Sequence, residues 1–509
     1  MEDPQGPLVD TIRVELFAER IGDSMRLVAS FLFILCYLLS FGQTMTDALR
    51  FGQQGLGGSA RFTAMSGSMG ALGGDASAVA VNPGGLGIFR KGQGIATISY
   101  DYTSNMVDHY GTSTQATDDK GRLGNFAVVL TSPFDYSNWK YGSVIFGYRN
   151  KDSYEERFEA KGVNTESSYL DQYFTDIIDE PNLYLEDIPV YFPFGAGLAW
   201  NSFLIDTAFG QYYHVNPYYG QTQSRATNNR RGMSEYYLGF GANYEDRLYL
   251  GATLGFTSVN VLSESTYKEE MIPNSPFGLV EWSQYDRLQI KGSGSYAKLG
   301  LIYWVKETIR VGLAFNTREK LRLTENYYSS INAEWDFRDE TFSESPDGYN
   351  EYIFRTPYRV IGSLALVRIK RGSVNADVEY VDYRSMKFEA SPEFGTDYSK
   401  ANNEIQSTFG PSVNLRIGGE LMYGPLFFRG GTAYWGNPYK NGNHHDKYRV
   451  STGLGWRKSY FFVDLSYGYE WYSDWKVPIH YANNVTLAPS TVDSKRHLVS
   501  LSFGIKFQE

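Results

Sequence analysis

From about residue 94 to the C-terminus, apolar and polar residues alternate with a period of two, the repeat of an extended strand rather than a helix. Around Tyr460 one face reads Phe461, Val463, Leu465, Tyr467, Tyr469 and Trp471, and the residues between include Asp464, Ser466, Gly468 and Glu470. The segment before it sets Tyr448, Val450, Thr452, Leu454 and Trp456 against Lys447, Arg449, Ser451, Gly453 and Arg457. Similar runs start at Ile309, Val374 and Val413. In strand after strand one face is apolar and the other carries charge and glycine. A transmembrane barrel needs this arrangement, because lipid meets one face and a polar lumen the other, and closure pairs every backbone group. The expected fold class is all-β, a transmembrane antiparallel β-barrel with an N-terminal hatch in its lumen.

The connections fit that class. Tight links such as Glu245-Asp246-Arg247, Tyr423-Gly424-Pro425 and Arg457-Lys458-Ser459 alternate with long polar stretches, expected as external loops near 105–121, 161–188, 217–229, 269–282, 331–351, 391–404, 438–446 and 475–493. Aromatic pairs such as Trp471-Tyr472 and Tyr434-Trp435 sit near strand ends, where a girdle at the lipid–water boundary belongs. The last run, Val499 to Phe507, resembles the terminal strand by which the barrel-assembly machinery recognises outer-membrane proteins, although Gln508 and Glu509 follow Phe507.

The longest apolar run, Leu27 to Leu39, is about 13 residues, too short for a membrane helix of roughly 20 and of the right length for a signal-peptide core. Met25-Arg26 precedes it and Ser40-Phe41-Gly42 offers small residues for cleavage. Residues 1–24 therefore read as an upstream extension, 25–42 as a signal peptide, 43–93 as the hatch and 94–509 as the barrel. The single cysteine, Cys36, would leave with the signal, which excludes a disulfide framework and cysteine chemistry in the mature chain. A net charge of −10 with no basic stripe argues against nucleic-acid binding.

Residues 43–93 are rich in small side chains and too poor in apolar volume to fold alone. Asp75 is placed to cap a short helix over Ala76 to Val81, and Asn82-Pro83-Gly84 reads as a turn before the first strand. Ser59-Ala60-Arg61-Phe62, Ala64-Met65-Ser66-Gly67, the run Gly73-Gly74-Asp75-Ala76-Ser77 and Asn82-Pro83-Gly84, in that order before a barrel, resemble the FadL/TodX long-chain fatty-acid and hydrocarbon transporters. Gly84 stands where that family usually has alanine. The resemblance implies fourteen strands, a hatch built on Gly73, Gly74, Asp75, Asn82, Pro83 and Gly84, and passage of apolar ligands through an opening in the wall; turn counting alone allows sixteen strands, with 189–216 divided near Asn201-Ser202-Phe203.

In the loop after the third strand, Tyr169, Leu170, Tyr173, Phe174, Ile177 and Ile178 fall at helical spacing, with Ser167 as a candidate cap. They are candidates for ligand capture, or for packing on the barrel rim. The six histidines have no metal-ligand spacing and read as surface residues, and no motif sets a nucleophile beside a base. Lumen-facing Arg310, Arg416, Glu420, Arg449, Arg457 and Asp464 could hold an anionic head group or pair with one another. The function expected is transport of hydrophobic or amphipathic, fatty-acid-like molecules across a Gram-negative outer membrane by passive diffusion, without a cofactor or metal, among outer-membrane lipid and lipopolysaccharide. The alternative is a related barrel serving a secretion machinery or binding partner proteins; an outer-membrane enzyme is the third reading.

Overall fold

The computed structural model describes residues 45–154, 156–180, 183–273, 275–369, 371–440, 444–477 and 489–507. The upstream extension, the signal segment, His480, Gln508 and Glu509 lie outside the described residues.

Fourteen antiparallel strands close into one barrel. They are β1 (Gln93–His109), β2 (Thr112–Pro133), β3 (Trp139–Ser153, continued by Glu156–Asn164), β4 (Gln221–Tyr244), β5 (Leu248–Glu270) and β6 (Leu279–Lys306). Next come β7 (Ile309–Asn316 and Lys320–Trp335), β8 (Gly348–Arg355 and Arg359–Ile369) and β9 (Gly372–Asp382, with Lys387–Ala390). The circuit ends with β10 (Pro411–Tyr423), β11 (Leu426–Trp435), β12 (Lys447–Arg457), β13 (Phe461–Val477) and β14 (Ser490–Lys506). β14 pairs along β1 from Gln93↔Lys506 to Asp108↔Thr491, which leaves no free sheet edge at the seam.

The strand number is the lower of the two expected. Residues 189–216 lie outside the barrel, as helical turns at Ile188–Tyr191 and Ala196–Asn201 and a small hairpin of Ile205–Ala208 with Gln211–His214. The stretches 105–121 and 217–229, expected as loops, are mostly strand. Tyr110 and Gly111, with φ of 47° and 74°, form a tight turn that joins β1 to β2 at the long-loop end.

Outward residues form an apolar band bounded by aromatic pairs. Tyr148 and Tyr236 lie opposite each other at its long-loop edge, ring centroids 5.3 Å apart, and Trp139 and Tyr244 mark the short-turn edge at 5.1 Å. The eight residues between them on tilted strands span about 20 Å, near the height of the apolar band of an outer-membrane barrel. Leu465 lies in this band and is 46% exposed. Leu465→Arg is expected to cost about 2–4 kcal/mol of barrel stability, read as loss of the heat-modifiable folded form.

Ser466, on the opposite face, does not meet an open aqueous lumen. It is buried, and its backbone lies against Gly453, which in turn approaches Ala64 of the N-terminal segment. A large side chain there would push on that segment rather than enter water.

Candidate functional site

The N-terminal segment fills the lumen from end to end. The helix Met45–Gly52 packs Leu49 and Phe51 among Leu321, Leu323, Tyr352 and Phe354, in the half nearer the long loops. Residues 53–58 descend along β3, and the helix Ala60–Ala64 lies against β12 and β13. Ser59 caps that helix by accepting from Phe62 N (3.1 Å), its hydroxyl donates to both oxygens of Asp75 (2.9 Å each), and its backbone N–H donates to Ser77 Oγ (2.7 Å). Arg61 donates to the Gly74 carbonyl (2.9 Å) and grips Glu420 of β10 (2.7 and 3.1 Å). Motif residues far apart in the segment thus converge on one buried cluster.

Asp75 caps a short 3-10 helix, Ala76–Ala80, by accepting from Ser77 N (2.8 Å). Gly73 and Gly74 adopt φ of 60° and 66°, and a Cβ on Gly73 would strike Gly85 Cα at 2.7 Å, so the turn before that helix requires glycine. Asn82 is fully buried: Nδ2 donates to Gly70 O (2.6 Å) and Leu301 O of β6 (3.0 Å), and Oδ1 accepts from Gly84 N (2.9 Å). Asn82→Ala removes these three buried bonds. It is expected to loosen the hatch by about 1–3 kcal/mol while the barrel stays folded, read as proteolysis of the segment in an intact barrel.

The barrel is shaped to receive this turn. Gly241, Gly251 and Gly300 form one cross-strand row on β4, β5 and β6. A Cβ on them would lie 2.3 Å from Leu86 Cβ, 2.1 Å from Pro83 O and 2.0 Å from Asn82 Oδ1 respectively. A Cβ on Gly84 would meet Leu301 Cα at 3.0 Å, so the glycine at this position permits close approach of hatch to wall.

Beside the hatch the wall is discontinuous. β2 and β3 pair from Pro133↔Tyr141 up to Asn125↔Arg149 and, among the described residues, no further. Two bulges flank the break. Gly124 is an extra residue in β2, since Thr97 pairs with Asn125 and Ile98 with Leu123, and β3 shifts register against β4 between Asn150 and Asp152. Beyond them the continuation of β3 stays paired with β4, from Glu156↔Asn229 to Asn164↔Gln221, and toward β1 and β2 it is met by side chains: Asn105 donates to Arg157 O (2.9 Å) and Thr114 to Glu159 O. The break begins at the Tyr148–Tyr236 level, at the edge of the apolar band.

The hatch covers the break from inside. Gly55 and Gly57 run so close to β3 that a Cβ on them would lie 2.7 Å from Lys151 O and 2.3 Å from Asn150 O. A cavity of about 60 Å3 remains, lined by Gln53 to Gly58, Arg122, Gly124, Asn150 and Lys151, with Arg449, Glu470 and Arg496 across from them. That volume, a few water molecules at most, is too small for a hydrocarbon chain. The segment Gln53-Gln54-Gly55-Leu56-Gly57-Gly58 escaped the sequence reading; its three glycines were the available signal.

The lumenal charges largely pair with one another. Arg416 bonds Glu379 (2.9 Å), Glu420 bonds Arg61 and Arg429, Asp464 bonds Arg429 (2.6 Å) with Arg457 at 3.9 Å, and Arg449 bonds Glu470 (2.6 Å). Arg310 instead donates to Leu72 O (3.1 Å) and stacks over Trp304.

Above the lumen, the helix Leu170–Ile178 forms as the spacing predicts. Leu170, Tyr173 and Ile177 are buried in the core of the loop layer, Tyr169 and Phe174 are half-buried, and Ile178 is exposed. Ser167 is not its cap: Tyr169 holds that position, and Ser167 bonds Asn164 and Gln221. The anchor is Glu269, fully buried, which accepts from Ser168 Oγ (2.6 Å), Tyr169 N (2.9 Å), Gln223 (2.9 Å), Tyr267 (2.7 Å) and Trp282 (3.0 Å). Two histidines read as surface residues are buried. His109 contacts Ser490 and His445 lies between Tyr472 and Trp475, where burial lowers its pKa to about 3. Among the described residues no group of three or more His, Cys, Asp or Glu could hold a metal.

No protein-family model matches this sequence, and no curated sequence matches it. The architecture does match solved structures. The crystal structure of a Pseudomonas aeruginosa FadL homologue is 13% identical, with 90% of this chain and 100% of that chain covered at a TM-score of 0.55. The P. putida toluene transporter TodX is also 13% identical, with 89% and 99% covered at 0.50. At such identities the likeness is one of fold: this chain folds as a FadL-type barrel, fourteen strands closed around an N-terminal hatch.

Proposed function

We propose that this chain is an outer-membrane channel for hydrophobic or amphipathic small molecules, working by passive diffusion, with the long loops outside and the short turns in the periplasm. The observation that carries this reading is the break between β2 and β3, bounded by bulges at Gly124 and Lys151 and covered from inside by the glycine-bearing segment 53–58. A molecule that leaves the loop layer for the lumen has a lateral way out there once that segment moves. A continuous wall would leave it only the hatch-filled lumen. The two fold relatives named above, a FadL homologue and a toluene transporter, support a hydrophobic cargo. The cavity at the break is too small for a hydrocarbon chain, which fits a closed state; Asn82 is the anchor from which the segment would move. The half-buried Phe174 and the exposed Ile178 of the loop helix are the proposed first contact for ligand.

Expression in cells that lack their own long-chain fatty-acid channel should restore uptake of a radiolabelled fatty acid several-fold over background. Uptake at background from a correctly inserted barrel would remove the fatty-acid form of the reading. Exposed loop aromatics, among them Tyr184, Phe209 and Phe337, favour the second reading, a protein partner bound by the outer loops. In that case uptake stays at background whatever is done to the hatch.

A further inference from the structure

Just beyond the apolar band, the outward face of β6 and β7 turns abruptly basic. On β7 the outward residues run Val311, Leu313, Phe315, and then, past the link at Thr317–Glu319, Lys320 and Arg322. On β6 they run Tyr303, Leu299, Ser295, Ser293 and Lys291. Ser295 pairs with Lys320, and Ser293 with Arg322, so Lys291 lies diagonal to Arg322 about 7–8 Å away. Arg318 projects from the link, its guanidinium 5.9 Å from the Tyr358 ring at the edge of the band.

Lys291, Arg318 and Arg322 are exposed and Lys320 is half-buried, and among the described residues none has an ion-pair partner. Several neighbouring cations are matched: Arg230 pairs with Glu264 (2.8 Å), Arg355 with Glu389 (2.9 Å) and Arg384 with Asp382 (2.8 Å). Between the four free cations stand hydroxyl groups, Ser293, Ser295 and Thr324, and on the next strand, β5, Asn260 accepts from Arg231 of β4 (3.0 Å). A row of unmatched cations with neutral donors, directly above a lipid-facing surface, has the complement of a phosphorylated head group whose acyl chains lie along Leu299, Leu313 and Phe315.

We propose that Lys291, Arg318, Lys320 and Arg322 form a docking site for the phosphates of an outer-leaflet glycolipid, held beside the band with its chains on β6 and β7. The inference rests on the outer-membrane placement proposed above, though not on transport. The position selects the occupant, because the cations sit at head-group height on the long-loop side and a lipid molecule delivers phosphate and apolar chain to both surfaces together.

The test is native mass spectrometry of the detergent-extracted full chain titrated with bisphosphorylated lipid A, with lipid A lacking one phosphate, with phosphatidylglycerol and with inorganic phosphate. Bisphosphorylated lipid A should bind tightest, and loss of one phosphate should weaken it several-fold. The combined variant Lys291→Ser, Arg318→Ser, Lys320→Ser, Arg322→Ser should lose roughly six-hundred-fold in affinity, at about a factor of five per cation near a membrane surface. A second variant, Lys387→Ser, Arg384→Ser, on the neighbouring face where cations are already paired, should bind as the parent does. Unchanged binding by the fourfold variant, or phosphatidylglycerol or free phosphate binding as tightly as lipid A, would overturn the proposal. Fatty-acid uptake, measured on the same variants in cells, separates this failure from failure of the transport reading, since lipid docking and uptake can be lost independently.

Discussion

Removal of residues 44–80 should leave a barrel that inserts and shifts on heating like the parent but conducts ions in planar bilayers, where the intact chain is closed. The strands supply their own closure through the β1–β14 seam, and none of its pairs involves the deleted segment. The deletion removes what fills the lumen: Phe51 and its neighbours in the upper half, the 53–58 strip across the break, and Arg61 with its grip on Glu420. Glu420 keeps Arg429, so the inner wall retains a partner for its carboxylate. Single-channel conductance should rise from none to a value typical of a water-filled pore, and selective uptake of a hydrophobic ligand should disappear. A deletion variant that stays silent in bilayers and takes up ligand like the parent would show that the segment is not a plug.

Deletion of Gly124 alone should have nearly as large an effect on uptake with a much smaller structural change. With the bulge gone, Leu123 becomes adjacent to Asn125, Thr97 and Ile98 regain consecutive partners, and Leu123 stays on the outer face with Asn125 on the inner one. β2 would then run straight, and its pairing with β3 could continue beyond Arg149. Uptake should fall at least ten-fold while the folded fraction holds. Amide protection of residues near Asn150 should rise, since carbonyls and N–H groups now without a ladder would enter one. Unaltered uptake together with increased protection would show that molecules do not leave by the break.

The barrel and the local turns of the N-terminal segment were legible in the sequence for different reasons. Within the apolar band, alternation reports directly which residues meet lipid, and Val499 to Phe507 or Phe461 to Trp471 could hardly be read otherwise. Above the band both faces of a strand are polar, so alternation vanishes; this is why β1 and β2 near Asp119 and Lys120 read as a loop although they are a hairpin. Asn82-Pro83-Gly84 was readable because its geometry is local, whereas the glycines that receive it, Gly241, Gly251 and Gly300, are brought together only by strand register. The wall break is harder still, since it consists of pairs that do not form. It leaves one trace: Leu123 and Phe126 both face outward although they are three apart, which violates the period of two where the bulge lies. For the loop helix, spacing gave the element but not its surroundings, and the stripe Leu170, Tyr173, Ile177 turned inward because Glu269 and the aromatic rings around it lie more than ninety residues further along the chain.

The hatch precedes β1 in the chain, yet its docking sites are on later strands: the glycine row of β4 to β6, Asp377 of β9 and Ser451 of β12. A finished cylinder offers no route by which some fifty residues of chain could be threaded into so crowded an interior. The order of events during biogenesis is thereby constrained, with the N-terminal segment laid against an open, curling sheet and the ends of that sheet brought together around it. The β1–β14 seam is then the last contact made, and chains arrested before that step should already protect the hatch from protease.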